Sequence, residues 1–393
     1  MRVRRCAAIA VAVSLTLASP WFVAAGVAQG AQVKPKPGQV PSPPQRKTAA
    51  AKVAEPFKDA ASLAARRRSA EQRRLFQRSE PLAFTLAADF KAISRDRNIV
   101  KPFPATITVS GDDGAPIKMP VTLRTRGNFR RLDTTCASPP LFVEFDKARV
   151  KGTVFDGQSK LKLIVNCNEA PRFDQLVLLE YAAYRMLNVL TPQSLRARLA
   201  TASYADAKSG RLISTHNAVF VEDDDDVAAR MEGRSVALTG LQFKDFDQAS
   251  LNLVSVFEYL IGNPDYSVSF MHNVRMVQTP TGVRYLIAWD FDFTGFVDPR
   301  YDNPSQQVRD VIASARVRKY LGPCHTADEW APTLAPFREK QAELLAVVDG
   351  LPGLDDTERR RVDAYLAEFF TTIGSADLVK REFSDGCADR PTS

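Results

Sequence analysis

Three short stretches carry residues that can do chemistry: Gly262-Asn263-Pro264-Asp265, His272-Asn273 and Ala288-Trp289-Asp290-Phe291-Asp292, all within 31 residues. Asp265 follows a helical pattern, Asn273 falls on the first strand of an expected hairpin, and Asp290 and Asp292 end the second. Hairpin pairing brings Asn273 and Asp290 together across the ladder. An Asp, an Asn and a second Asp meeting in this way suit metal-dependent phosphoryl transfer. One carboxylate orients the attacking hydroxyl, while an amide oxygen and another carboxylate hold hard cations against the phosphates. On this reading Asp265 is the catalytic base or positioner, and Asn273, Asp290 and Asp292 are ligands for Mg2+ or Mn2+. The plainer alternative is a capped turn, a solvent-facing amide and a strand end. It fits Asp290 and Asp292 less well, because Trp289, Phe291 and Phe293 surround them with apolar chain in which an acid needs a partner.

Upstream, Lys160-Leu161-Lys162-Leu163 has strand alternation, and Glu180 lies 18 positions after Lys162 in a helical pattern. A strand lysine that grips the α and β phosphates, fixed by a helix glutamate, has this layout, which makes Lys162 and Glu180 candidates for the nucleotide. A solvated strand face is the alternative. Arg124-Thr125-Arg126-Gly127-Asn128 ends another strand with two same-face arginines and a turn that opens backbone donors, so Arg126 joins the anion-binding candidates. The acidic run Glu222 to Asp226 lacks the spaced ligands and glycine of a calcium loop and reads as a helix start. The chain has no G-x-S-x-G, H-E-x-x-H, Walker or G-x-G-x-x-G motif.

The elements that must position these residues follow from periodicity. Strands are expected at Leu82–Ala87, Ala105–Ser110, Lys118–Arg126, Leu141–Phe145, Lys160–Asn166, Leu195–Tyr204 and Ile213–Glu222, with a helix at Phe173–Leu190. The second half reads as helices at Ala249–Ile261, Gln306–Tyr320, Pro336–Val348 and Asp356–Thr371, with a hairpin of Phe270–Gln278 and Val283–Trp289. The fold class expected is α+β: a two-lobed protein-kinase-like fold, with a strand-rich lobe over about 81–222 and a mainly helical lobe over about 223–393.

Taken together, the R-x-R-G-N stretch at Arg124–Asn128, the strand from Lys162 to Asn166 leading into a helix, Asn263-Pro264-Asp265, and the W-D-x-D of Trp289–Asp292 resemble the spore-coat protein H (CotH) kinases, over roughly residues 120–300. The resemblance implies an ATP-dependent kinase acting on exported proteins, with Asp265 matching the proposed catalytic aspartate, Asp290 the metal-binding aspartate and Asn273 a second ligand. One feature differs from the family pattern and two from ordinary kinases, one of these two being the step from Asp265 to Asn273, which is eight positions where theirs is five. Phe129–Leu141 supplies no lysine, so Lys160 or Lys162 takes the phosphate role, and Asp292 stands where ordinary kinases have the glycine of D-F-G.

Composition sets the remaining bounds. Met1–Ala28 has the arginines, apolar stretch and small residues of a cleaved secretory signal, with an uncleaved anchor as the alternative. Residues 29–80, rich in Ala, Pro, Lys and Arg, read as a tether, helical at most over Ala60–Gln77, with the folded domain starting near Pro81. Residues 1–80 carry 15 Lys and Arg against 4 Asp and Glu, so the net charge of +8 belongs to this segment. No specific nucleic-acid partner is implied, only weak contact of the tether with anionic membrane or wall. Cys136, Cys167, Cys324 and Cys387 are expected to form two disulfides in an oxidising compartment, paired by closeness in sequence. The resulting expectation is a monomeric periplasmic or secreted kinase with a protein acceptor. A non-catalytic envelope-binding module and a metal-dependent phosphohydrolase are the alternatives.

Overall fold

In the computed structural model, residues 56–301 and 306–388 are described. The expected signal segment, and the spacer up to residue 55, lie outside the described residues. Period-two alternation governs the first half. After α1 (Ala60–Glu71), strands β1 (Leu82–Ala88), β2 (Phe103–Ser110), β3 (Pro116–Thr125), β4 (Leu141–Phe145) and β5 (Lys160–Ile164) each pair antiparallel with the next, and α2 (Phe90–Arg95) links β1 to β2. Helix α3 (Arg172–Leu190) follows, then the antiparallel pair β6 (Ala197–Asp206) and β7 (Leu212–Val221). β7 pairs with β5, and β6 lies parallel to β1, so the sheet closes in the order β1-β2-β3-β4-β5-β7-β6.

That closure corrects the expected architecture. The chain is α+β, but it is a closed seven-stranded barrel followed by a helical region, not a two-lobed kinase-like fold. The closing contact is the parallel pairing of Leu82–Ala88 with Ala200–Asp206, between segments far apart in sequence. Local periodicity carries no information on such a pairing, and forming it removes both sheet edges.

The barrel interior is filled by Leu86, Ile107, Leu123, Val143, Leu161, Leu163 and Phe220, all fully buried, with Ala200, Ala202 and Ala218 leaving room for the aromatic rings. Successive strand residues face opposite sides, so Leu161 and Leu163 enter the barrel while Lys162 and Ile164 face outward. There, Ile164, Val219, Val221 and Leu199 pack in one core with Leu179, Ala183 and Leu187 of α3. The same core extends into the helical region, so the outer face of β5, β7 and β6 is itself an interface.

Beyond the barrel come α4 (Asp224–Arg230), β8 (Arg234–Val236), α5 (Gln248–Ile261), β9 (Val274–Gln278) and β10 (Arg284–Ala288). The three strands form a small sheet in the order β10-β9-β8. Helices α6 (Gln306–Ala315), α7 (Ala327–Glu339), α8 (Gln341–Asp349), α9 (Asp356–Gly374) and α10 (Ala376–Val379) follow, and α10 runs on into a π-helical turn at Lys380–Ser384. The single helix expected over Pro336–Val348 is two helices. The first starts upstream at a capping box in which Thr326 and Glu329 satisfy each other's backbone donors. Helix α6 ends at Ala315 rather than Tyr320.

Residues 60–76, placed in the spacer by composition, include a docked helix. Arg73 donates two 2.8 Å bonds to Asp226 of α4, Arg196 donates to the Ala70 carbonyl at 2.8 Å, and Leu63 and Ala70 are buried. Disulfides join Cys136 to Cys167 and Cys324 to Cys387.

One ionic clasp ties barrel to helix. His216 of β7 is buried between Asp174 at the start of α3, 3.0 Å from Nδ1, and Glu169, 2.9 Å from Nε2. Burial opposes protonation, but the two carboxylates outweigh it and raise the imidazole above its usual range. The clasp therefore contributes fully below the unfolded-state histidine value, about 6.5, and is lost as pH rises through the higher folded value. Because Glu169 is largely exposed, solvent screens part of the gain. Between about pH 6 and pH 9, melting curves should show the wild type losing on the order of 1 kcal/mol relative to His216→Gln. A pH-independent difference would show that His216 is held neutral.

Candidate functional site

Four segments converge outside the barrel wall: the end of β3 with its following loop, β5, the middle of α3, and the residues after β10. Lys162, on the outward face of β5, is buried, and its ammonium is fully occupied. It lies 2.8 Å from Asp290, 3.0 Å from the Tyr184 hydroxyl and 3.3 Å from Glu180. An ammonium has three donors, and here each has an acceptor. Glu180 and Tyr184 are one helical turn apart on α3, which places both over the same strand residue. The Tyr184 hydroxyl also accepts the Asp290 N–H at 3.0 Å, so the helix fixes the carboxylate's backbone as well. Lys160, two residues earlier on the same outward face of the strand, is half exposed and pairs with Asp223 at 3.6 Å instead.

Two arginines complete the cluster. Arg126 lies 3.3 Å from Asp290, and Arg130 lies 3.4 Å from Asp292 and 3.6 Å from Glu180. Three cations thus face three carboxylates, with the cations and Glu180 shielded from water and Asp290 and Asp292 only partly so. The Trp289 ring sits among the cations, with Arg275 3.6 Å, Lys162 5.0 Å and Arg126 5.4 Å from its centroid. The Cys136–Cys167 bond, between the Arg130 loop and the segment after β5, packs beside the cluster with Phe173, Phe293 and Tyr301.

The electrostatics follow from this arrangement. Burial penalises the Asp290 carboxylate, but Lys162 and Arg126 outweigh the penalty and hold it well below the ordinary range. Asp292 goes the other way. Burial raises its carboxyl, and the negative charges of Asp290 and Glu180 raise it further against the opposing pull of Arg130. Lys162 and Arg130, though desolvated, are held firmly protonated by the same carboxylates. Two neighbouring acids in opposite protonation tendencies are a common feature of catalytic sites.

The second half of the site hangs from α5. That helix ends at Gly262 in the left-handed region (φ 63°), where a Cβ would lie 2.1 Å from the Tyr365 hydroxyl oxygen, so only glycine fits. The chain then turns through Asn263 and Pro264 to Asp265. The Asp265 carboxylate is 3.2 Å from His272 Nε2 and accepts from Asn273 Nδ2 at 3.3 Å. Its charge raises His272 above the usual imidazole range.

The first strand of the hairpin begins at Val274, not Phe270. Met271 and Asn273 have positive φ (50° and 51°), and so has Asp290 (67°) opposite, which ends the ladder at the Val274–Ala288 pair. Asn and Asp tolerate this conformation better than other non-glycine residues. Trp289 N–H still bonds the Asn273 carbonyl at 3.1 Å, so Asn273 and Asp290 flank the open end of the hairpin.

All seven candidates from sequence are therefore located. Lys162, Glu180, Arg126, Asp290 and Asp292 form one charge cluster, and Asp265 with Asn273 forms a second group at the hairpin mouth beside it. Sequence reading missed Tyr184 and Arg130, and it named His272 without giving it a role. Tyr184 had a usable signal in its four-residue spacing from Glu180. Arg130 had none, because its loop has no periodicity.

No family model and no curated protein matches this chain. The chemistry of the site must speak for itself. Among the described residues no group of three or more His, Cys, Asp or Glu side chains is arranged to hold a metal ion. Magnesium at a nucleotide site does not require one, since it takes one or two carboxylates, water and substrate phosphates. The donors of Asp290 and Asn273 are hard oxygens of the right type, and Asn273 spends its amide nitrogen on Asp265, which leaves the oxygen to offer. The residues thus fit a hard divalent cation.

Removing one member of the cluster leaves buried charge unpaired. Glu180→Ala should lower the unfolding free energy by about 3–5 kcal/mol in denaturant titrations. A loss under about 1 kcal/mol would mean that Lys162 and Arg130 are satisfied without it.

Proposed function

We propose that the protein is a metal-dependent phosphotransferase that moves the γ-phosphoryl group of ATP to a hydroxyl of a protein acceptor outside the cytoplasm. The observation that carries this reading is the Lys162 ammonium, buried on a strand and shared between the α3 glutamate and the aspartate after β10. A lysine held this way is a preorganised cation aimed at the place where an aspartate holds metal and phosphate. The motif resemblance to the CotH kinases points to the same chemistry, and the two disulfides suit an oxidising compartment.

In the reaction, the acceptor oxygen bonds to the γ-phosphorus as the bond to the β–γ bridging oxygen breaks. ADP leaves, and the hydroxyl proton passes to the Asp265 carboxylate or, through it, to solvent. Asp290 and Asn273 would hold a Mg2+ or Mn2+ ion arriving with the nucleotide, which would supply neutralisation of the phosphate charge. Lys162 and Arg126 then turn from Asp290 toward phosphate oxygens, while Glu180 and Tyr184 keep the lysine in place. Arg130 holds Asp292 at the back of the cluster.

A second reading is favoured by one specific observation. All three Lys162 donors are already taken and the side chain is almost wholly covered, with cations and carboxylates in balance. A cluster so satisfied can serve purely as the joint of a non-catalytic envelope-binding module.

Melting of the chain with ATP and Mg2+ or Mn2+ separates the two. A metal-dependent rise of about 2.7 kcal/mol in stability is expected at a hundred times the dissociation constant, and it should vanish in Asp290→Ala. No shift at millimolar ATP would select the binding module. If turnover is found, Asp265→Asn should lower it by roughly 10²–10⁴-fold with ATP affinity unchanged, and unchanged turnover would remove Asp265 from the mechanism.

A further inference from the structure

Behind the Asp265 segment lies a buried acid that the mechanism above does not use. Glu258, on the last turns of α5, is fully buried, and Asn263 beside it is almost so. Asn263 Nδ2 donates to Glu258 Oε2 at 2.9 Å, and the Asn263 side-chain oxygen accepts the Asp265 N–H at 3.0 Å. The Asn263 N–H also reaches the Glu258 carbonyl at 2.8 Å. The amide thus spans the gap between a helix residue and the backbone of the proposed catalytic aspartate.

Among the described residues, the surroundings of Glu258 are neutral. Ser255 and Tyr266 place hydroxyls in the same buried space, Gly322 from the loop before α7 packs against Ser255, and Asn263 supplies an amide. Tyr266 is the titratable group that faces the acid, and it too is buried. Glu258 Oε1, Ser255 Oγ and Tyr266 Oη each lack a well-aligned hydrogen-bond partner. Three such atoms together are costly if one is an anion, and far less so if Oε1 carries a proton that it donates to a neighbouring hydroxyl. A carboxylate with no cation to pair it is the more expensive form.

We propose that Glu258 is a positioning residue for Asp265, acting as an uncharged acid that holds Asn263, which in turn holds the backbone of the catalytic segment. The inference rests on the role given to Asp265 above. Burial raises the acid to about 8, against a smaller opposing contribution from Asn263, so ionisation falls in a measurable range. On ionisation the anion, desolvated and without a cation, drives the segment to open toward water, and the Asn263–Asp265 bond is lost with it. The sign is set by a raised acid. Order in the segment is complete below the open-state carboxyl value, about 4.3, and is lost as pH rises from there through the folded value.

Amide hydrogen exchange over residues 263–273 of the full chain, corrected for the intrinsic pH dependence of exchange, tests this without nucleotide or turnover. The wild type should lose protection at least roughly tenfold between about pH 5 and pH 8 and level off above that. Glu258→Gln, which keeps the acceptor for Asn263 but cannot ionise, should retain the low-pH protection throughout. Asn263→Ala should be unprotected at every pH. Flat wild-type protection, or a Glu258→Gln segment as open as Asn263→Ala, overturns the proposal. If the segment responds as expected but no phosphotransfer is found at any pH, the positioning device stands and the reading of Asp265 as catalytic falls.

Discussion

A buried ammonium has to be paired, and in this protein the pairing of Lys162 decides how the two halves meet. Its partners come from three directions: Glu180 and Tyr184 from the helix over the barrel wall, and Asp290 from the hairpin of the helical region. Each partner is held by something else, Glu180 by Arg130, Asp290 by Arg126 and by the Tyr184 hydroxyl. Removing one leaves a charge that low-dielectric surroundings penalise heavily, so the segments are bound to a common register. The apolar contact of α3 with β5, β6 and β7 supplies adhesion. The ionic contact supplies position.

The same constraint gives the site its chemical character. A barrel strand provides rigidity, and alternation puts a lysine on the outside of that strand between two leucines on the inside. The hairpin brings its carboxylate there only because its ladder stops early, at residues that accept a left-handed backbone. Strain of this kind is stored where function needs a side chain redirected. A site so held is preorganised, and for phosphoryl transfer positioning and electrostatics supply most of what a protein contributes.

Much of this was legible in the sequence, for identifiable reasons. The strands, α3, α5 and the hairpin follow from period, and the Lys162–Glu180 spacing follows from strand then helix. The acids beside Trp289, Phe291 and Phe293 announced themselves by being charged in an apolar run. The topology was not legible, because the parallel β1–β6 pairing that closes the barrel leaves no local trace. The docking of α1 was hidden by composition. Its arginines look like a solvated basic segment, and only the position of Asp226 on α4 shows that Arg73 has a partner. Glu258 was invisible as well, since one acid in a helix reads as surface until its burial is seen.

The most direct test of the central claim is a double-mutant cycle on stability with Lys162→Met and Asp290→Asn, singly and together. If the pair joins barrel to helical region, the two changes should couple by at least about 1.5 kcal/mol, the double variant being less damaged than the sum of the singles. Additivity within about 0.5 kcal/mol would contradict it. The register of the two halves would then rest on apolar packing alone.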